Sequence, residues 1–488
     1  MNQDLPEKSR KLGNGRARRG GMAIFAFVAR SLQQIATFVI TLLAARFLLP
    51  AEYGVYSLAI VFITLIQTLT YTGFYHFVVT SKQEDDVVLS TSFWMITGLA
   101  TIAAGALALA AWPIAWAFDA PDLGPVLLLL AAVQPVAGAG AWFSAALLRR
   151  GAVNLHFTIM FVQNLAALVG GAVLLGLWQS LYALVAFRYL RVLTGAVLYL
   201  VLARDRPSRI FDREMARKAT GFSGGLYGAR FLNFLSRYAG DLLLGLMFST
   251  AEAGLYRFGN RVAGGAVDVI LQPMRSFALT QFGAAGRKGK DLAHPLERFT
   301  GTIVVLTGGV ASVVVVFAPA VVADFFNPAY LAAIGVTYAM ALRSVLSIGN
   351  LLLEPALAAK DRTGRVMMFN LVWTVLTILA VFVFSSFGLA ALAWSQAAVM
   401  GMTTVSAFWL LRREGIRVGR AVRALGVSLG LVVLYAAALN ELWLLLQAAI
   451  ESDVLALCLG LGVATLLGCV ALVLAWKLKV FTLGAFSG

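Results

Sequence analysis

Residues 229–256 read ARFLNFLSRYAGDLLLGLMFSTAEAGLY. The stretch is a membrane-length apolar helix interrupted by Arg230, Asn233, Arg237 and Asp241, and it closes on a short turn. Positions i, i+3, i+7 and i+11 fall on one face of a 3.6-residue helix, so these four residues form a single polar stripe. The same pattern occurs 200 residues earlier, without a gap, as ARSLQQIATFVITLLAARFLLPAEYGVY at 29–56. Ala29, Arg30, Leu32, Leu42, Leu43, Ala51, Glu52, Gly54 and Tyr56 recur as Ala229, Arg230, Leu232, Leu242, Leu243, Ala251, Glu252, Gly254 and Tyr256. Gln33, Thr37 and Thr41 stand where Asn233, Arg237 and Asp241 stand in the second copy. An internal repeat of this kind predicts two half-bundles with the substrate site between them.

The composition places both copies in a membrane. Of 488 residues 60% are hydrophobic and only 13% charged, and the mean hydropathy is +0.85. Soluble domains carry about 25% charged residues. Apolar runs long enough to cross a bilayer recur from end to end, the mark of an all-α polytopic protein. The net charge of +16 does not point to nucleic acid, because the basic residues are concentrated at every second connection. Cys458 and Cys469 fall in one helix, too far apart for a disulfide, and His76, His156 and His294 form no metal set.

Fourteen spans are expected, at roughly 22–48, 53–79, 89–117, 123–148, 157–177, 179–203, 221–248, 254–281, 299–323, 329–357, 364–385, 388–411, 425–447 and 453–476. Lys8 to Arg19, Lys82, Arg149 and Arg150, Arg204 to Lys218, Arg287 to Arg298, Lys360 to Arg365, Arg412 to Arg423, and Lys477 with Lys479 occupy alternate connections. The connections between them carry acids or no charge. This alternation predicts that both termini are cytoplasmic. The chain then divides into a basic, disordered tail (1–20), an N-terminal lobe of spans one to six (21–203), and a cytoplasmic linker or hinge (204–220). A C-terminal lobe of spans seven to twelve (221–411) and two appended spans (412–488) complete it.

Charges buried in spans are costly and mark pathways. Arg30, Arg188, Arg191, Arg230, Arg237, Arg261, Arg275 and Arg343 face only three acids at membrane depth: Asp241, Asp268 and Glu354. Eight arginines turned to lipid would cost on the order of 20–28 kcal/mol, so most must face a wet cavity or a partner. The spacing agrees. Arg261, Asp268, Gln272 and Arg275 share one face of the eighth span, and Arg343, Ser347, Asn350 and Glu354 one face of the tenth. With Arg30, Gln33 and Thr37 in the first span, four polar faces predict a cationic central cavity. Arg30, Arg230 and Arg275 have no acid one turn away and are expected to meet the substrate. Arg237 and Asp241 are one turn apart, either a static pair or one that opens when cargo competes for the arginine. Arg257 is expected to snorkel to the membrane surface. Arg188 and Arg191 remain open between a structural and a cavity role. Pro135 and Pro273 are expected to kink the fourth and eighth spans. There is no phosphate loop and no nucleophile–base set, so no enzyme is predicted.

ARFLLPAEYGVYSLA at 45–59 and RYAGDLLLGLMFSTAEAGLYRFGNR at 237–261 resemble the polysaccharide-transporter branch of the multidrug/oligosaccharidyl-lipid/polysaccharide (MOP) flippase superfamily. The resemblance implies two six-helix lobes around a V-shaped cavity with alternating access. It also implies a bacterial inner-membrane flippase carrying a lipid-linked oligosaccharide on undecaprenyl pyrophosphate outward for O-antigen, capsule or exopolysaccharide assembly. The partners expected are that cargo, membrane lipids, and a polysaccharide polymerase with its co-polymerase, and no nucleic acid. No cofactor is expected beyond coupling to a proton, a sodium ion or the membrane potential. Three rivals stay open at this point: a lipid II flippase, an ion-coupled small-molecule antiporter, and an integral membrane glycosyltransferase or polymerase. A cationic cavity suits a pyrophosphate better than an organic cation.

Overall fold

A computed structural model describes residue 29 and residues 32–81, 84–203 and 206–481. The basic tail and Arg30 lie outside the described residues, as do the side chains of Asn233, Arg237 and Gln272. The described chain is helical, with no strand among the described residues. In order the helices are α1 (Leu32–Phe47), α2 (Pro50–Thr70), α3 (Thr72–Thr80), α4 (Asp85–Ala117), α5 (Leu123–Ala132), α6 (Gln134–Arg149), α7 (Val153–Trp178), α8 (Leu181–Leu202), α9 (Arg213–Met247) and α10 (Thr250–Arg287). They continue as α11 (Ala293–Phe325), a 3₁₀ turn at Pro328–Ala333, α12 (Ile334–Leu346), α13 (Ile348–Ala358), α14 (Thr363–Ser385), α15 (Leu389–Arg413), α16 (Gly419–Ala449) and α17 (Asp453–Lys477).

Nine spans among the described residues are long and apolar enough to cross a membrane, or ten if α5 and α6, bent by 41°, count as one. The other expected segments are α1, which is short, and α9, α10 and α15. In α9 and α10 the charges of the polar stripes lower the hydropathy. The bend after α5 sits where Pro135 is expected to act, whereas α10 runs unbroken through Pro273.

The helices group into two compact units. The first comprises the described residues up to Leu48 and from Val55 to Tyr238, the second Leu49–Gly54 and the described residues from Ala239 on. In the first unit the core gathers around Trp142, Phe143, Phe74, Phe77, Ile96 and Leu89. Trp142, fully buried, donates its indole N–H to the Leu89 carbonyl at 2.8 Å, so its one polar atom is satisfied. Arg149, at the end of α6, donates to Asp85 Oδ1 (2.8 Å) and to the carbonyls of Val78 (2.8 Å) and Ser81 (2.7 Å). One guanidinium thus ties the C-terminus of α3 to the N-terminus of α4. The connection into α9 is tied down as well. The Ser208 carbonyl accepts from Ser90 Oγ (2.7 Å) and Trp94 Nε1 (3.0 Å), and Asp212 caps α9 by accepting from Met215 N at 2.6 Å.

The second unit is built on a core of α10, α11, α12, α13 and α15, with Phe282, Phe299, Met340, Leu352 and Leu353 at its centre. The two last helices pack on α11: Phe317 and Trp443 meet edge to face at 4.9 Å, and Tyr435 donates to the Ala464 carbonyl at 2.9 Å. The tenth expected span breaks at Ser347. There Thr404 of α15 donates to the Leu346 carbonyl and accepts from Gly349 N at 3.1 Å, replacing the helical bonds that the break removes.

The repeated motif has a local explanation. Ser249 and Glu252 form a capping box, Glu252 Oε2 accepting from Ser249 N at 3.0 Å. In the first copy Glu52 Oε2 accepts from Leu49 N at 2.9 Å. The two glycines make a reciprocal contact. A Cβ on Gly54 would lie 2.8 Å from the Thr250 carbonyl carbon and 3.1 Å from Gly254 N. One on Gly254 would lie 2.8 Å from the Pro50 carbonyl carbon and 3.1 Å from Gly54 N. The first turns of α2 and α10 therefore cross backbone to backbone, which only glycine allows.

Candidate functional site

In the second unit the polar residues of α9, α10 and α12 converge. Asp241 lies six residues before the end of α9, and Arg257 seven residues after the start of α10. The short turn between the helices sets them level, and Arg257 Nη2 lies 2.9 Å from Asp241 Oδ2, with side chains 17% and 16% exposed. Among the described residues, Asp241 has Arg257 as an ion-pair partner; its expected pairing with Arg237 lies outside them. Arg257, expected to snorkel, is instead largely buried and held by an acid, since a buried guanidinium left without a partner would be costly. Arg343, on α12, is an electrostatic neighbour of both Asp241 and the buried Tyr256, and its Nη1 contacts Met340 Sδ at 3.6 Å. One carboxylate therefore serves two guanidiniums, leaving a local positive excess beside a phenol.

Toward the other end of α10, Arg275 Nη2 donates to Glu354 Oε2 of α13 at 2.7 Å. Both side chains are half exposed, 58% and 50%. The acid that Arg275 lacks in its own helix comes from across the unit. Arg261 is half-buried, while Asp268, Asn350 and Glu354 are exposed. Because Arg261, Asp268 and Arg275 recur every seven residues, they share one face of α10. Ala266 and Ile270 fall on the opposite face, and they line an apolar cavity of about 490 Å³ closed by α11, α16 and α17, with Val313, Tyr435, Leu461 and Cys469 in its walls. α10 thus carries fixed charges on one side and the wall of an apolar groove on the other.

In the first unit, Arg230 of α9 donates to His76 Nε2 of α3 at 3.3 Å. That histidine, which belongs to no metal set, is thus a partner of a candidate site arginine. Gln33 is half-buried, and its carbonyl accepts from Thr37 Oγ1 at 2.8 Å, so the Thr37 hydroxyl is turned back on its own helix. Arg188 of α8 donates to Gln67 Oε1 at 3.3 Å.

Sequence reasoning missed Arg257 as a site residue. The signal was present in the hairpin: a helix pair joined by a short turn brings residues equidistant from that turn to the same depth. Chemically, guanidiniums held by one carboxylate each can exchange that carboxylate for a phosphate oxygen, since the planar fork fits both.

Comparison with known proteins agrees with this architecture. The family model described as "Polysaccharide biosynthesis protein" matches residues 43–308, more than half of the chain and including both copies of the capped glycine turn. The succinoglycan biosynthesis transport protein ExoT of Rhizobium meliloti (strain 1021) is 25% identical over 278 residues, 55% of this chain and 53% of ExoT. The chain thus aligns with about half the length of that relative. The amylovoran biosynthesis protein AmsL of Erwinia amylovora is 22% identical over 302 residues, 59% of this chain and 76% of AmsL. Among solved structures, the lipid II flippase MurJ in an inward closed conformation superposes with a TM-score of 0.71 at 11% identity, covering 94% of this chain and 98% of MurJ. An inward-facing multidrug-resistance transporter of the MATE family, within the MOP superfamily, superposes with a TM-score of 0.59 at 13% identity, covering 80% and 98%. At these identities the structural likeness shows a shared fold. The chain is a multi-pass membrane protein with the MOP-transporter fold, and it belongs to the polysaccharide biosynthesis protein family.

Proposed function

We propose that this chain is a flippase that moves an anionic lipid-linked oligosaccharide, of the undecaprenyl-pyrophosphate type, from the cytoplasmic to the periplasmic leaflet of a bacterial inner membrane. Transport proceeds by alternating access, both termini are cytoplasmic, and the product feeds surface-polysaccharide assembly by a polymerase and its co-polymerase. The observation that carries this reading is the two-sided chemistry of α10. Arg261, Arg275 and their neighbours offer guanidiniums to a pyrophosphate, and the Ala266–Ile270 face walls an apolar groove suited to a polyprenyl chain. An amphiphile with a charged head and a long apolar tail uses both. ExoT is described as a succinoglycan biosynthesis transport protein, which supports a transport role in polysaccharide biosynthesis.

A pyrophosphate carries roughly two negative charges, and an inside-negative potential favours their outward movement by about 4–5 kcal/mol per 100 mV. Potential alone therefore biases the direction. Proton or sodium coupling at Asp241 is a further part of the proposal. The experiment reconstitutes the protein in vesicles with a fluorescent polyprenyl-pyrophosphate oligosaccharide, and scores flipping by quenching from outside under imposed potentials. The expected result is protein-dependent flipping that follows the sign of the potential and is lost in Arg275→Gln and Arg343→Gln. No flipping above protein-free vesicles, or flipping of lipid II alone, refutes it.

A further inference from the structure

The first unit contains a pair of cations that the reading above leaves unused. Arg188 and Arg191 stand one turn apart on α8, both half-buried. Arg188 donates to Gln67 Oε1 (3.3 Å). Gln67 Nε2 donates to Gln134 Oε1 (3.1 Å), and Gln134, itself buried, donates to the Leu130 carbonyl (2.8 Å). This relay of amides ends on backbone and contains no charge. The electrostatic neighbours of Arg191 are Arg188, Tyr71, Tyr56 and Tyr199: one like charge and three phenols. No ion pair among the described residues includes either arginine. The described acids of the first unit lie in the first turn of α4 or just before it, in the 118–122 connection, and at the start of α9.

Two neighbouring guanidiniums in an apolar span, with no acid among their described partners, are an arrangement suited to an external counter-ion. A guanidinium presents five donors, and among the described residues the two side chains make one hydrogen bond to another side chain. We propose that Arg188 and Arg191 form an anion site inside the first unit that takes a phosphate oxyanion of the pyrophosphate class. A divalent ligand neutralises both cations at once, and its several oxygens match two planar forks, whereas a halide offers one charge and no fork. Tyr71 and Gln67 supply hydrogen-bonding groups at the rim. The site stands on its own geometry and does not require the transport reading to hold.

The test uses the purified full chain in neutral detergent. Its thermal midpoint is followed against inorganic pyrophosphate and, separately, against farnesyl pyrophosphate, with sodium chloride at matched ionic strength as control. Two variants accompany the wild type. Arg191→Gln removes one cation. Gln67→Glu installs a carboxylate at the atom now 3.3 Å from Arg188 and supplies the missing counter-charge from within. The expected result is a wild-type midpoint that rises with pyrophosphate and not with chloride. Both variants should be at least as heat-stable as wild type without anion, and should need about tenfold more pyrophosphate for half of the effect. A response to both pyrophosphates assigns a general phosphate site, and a response to the farnesyl form alone assigns a lipid headgroup; either supports the proposal. Equal half-effect concentrations in the wild type and both variants overturn it, as does an equal response to chloride. Loss of stability in both variants with an unchanged anion response also overturns it and makes the pair structural. Because this readout is binding, it fails or succeeds independently of flipping in vesicles.

Discussion

Replacing Gly54 or Gly254 with alanine tests the helix crossing on which the repeat is built. A Cβ at either position would lie 2.8 Å from a backbone carbonyl carbon of the opposing helix. Carbon atoms sit comfortably at about 3.5–4.0 Å, so the helices must part by about 1 Å, and no side chain is available to rotate away. Overpacking of this kind costs about 3 kcal/mol when the obstacle is backbone. The better helix propensity of alanine returns up to about 1 kcal/mol. The net loss is about 2 kcal/mol, a fall in thermal midpoint on the order of 4 °C. The assay is thermal unfolding of purified protein in one detergent, with Gly98→Ala as control, because a Cβ on Gly98 meets nothing within 4 Å. That control should match or exceed the wild type. The double variant Gly54→Ala/Gly254→Ala should lose less than the sum of the single losses, since both substitutions open the same crossing. If Gly54→Ala and Gly254→Ala unfold at the temperature of Gly98→Ala, the reciprocal contact is not a determinant of stability and the reasoning fails.

Arg257→Ala should lower stability by about 2–3 kcal/mol, somewhat below the usual 3–5 for a broken buried pair because both partners keep partial exposure. Adding Asp241→Asn should recover most of that loss in the same denaturation assay; an unimproved double variant would show that the pair is not what Arg257 contributes. Arg149→Lys should cost about 2 kcal/mol and speed amide exchange in the last turn of α3, since one ammonium cannot reach Asp85 and the carbonyls of Val78 and Ser81 in the guanidinium's geometry. Unchanged exchange there would refute the clamp.

Periodicity within a helix is a local property, and it was legible. The 3.6-residue repeat and the alternation of basic connections are enough to mark apolar spans, and the 200-residue echo singles out Glu52, Gly54, Glu252 and Gly254 before any contact is known. The physical roles of those residues, a cap for each glutamate and a backbone crossing for the glycine pair, appear only when α2 and α10 are in place. The same division runs through the candidate site. Spacing alone puts Arg261, Asp268 and Arg275 on one face of α10. It does not say that Asp241 belongs to Arg257, that Glu354 belongs to Arg275, or that Thr404 fills the break at Ser347. Partners within one helix follow from counting residues. Partners across helices depend on the rotation and depth of each rod, which are set by the packing of the whole unit. The groove walled by α10, α11, α16 and α17 is of the second kind, since two pairs of consecutive helices, far from each other in sequence, bring their apolar faces together. Arg188 and Arg191 show the boundary most sharply: their charges could be read from the chain, but the absence of any acid among their described neighbours could be seen only in the fold.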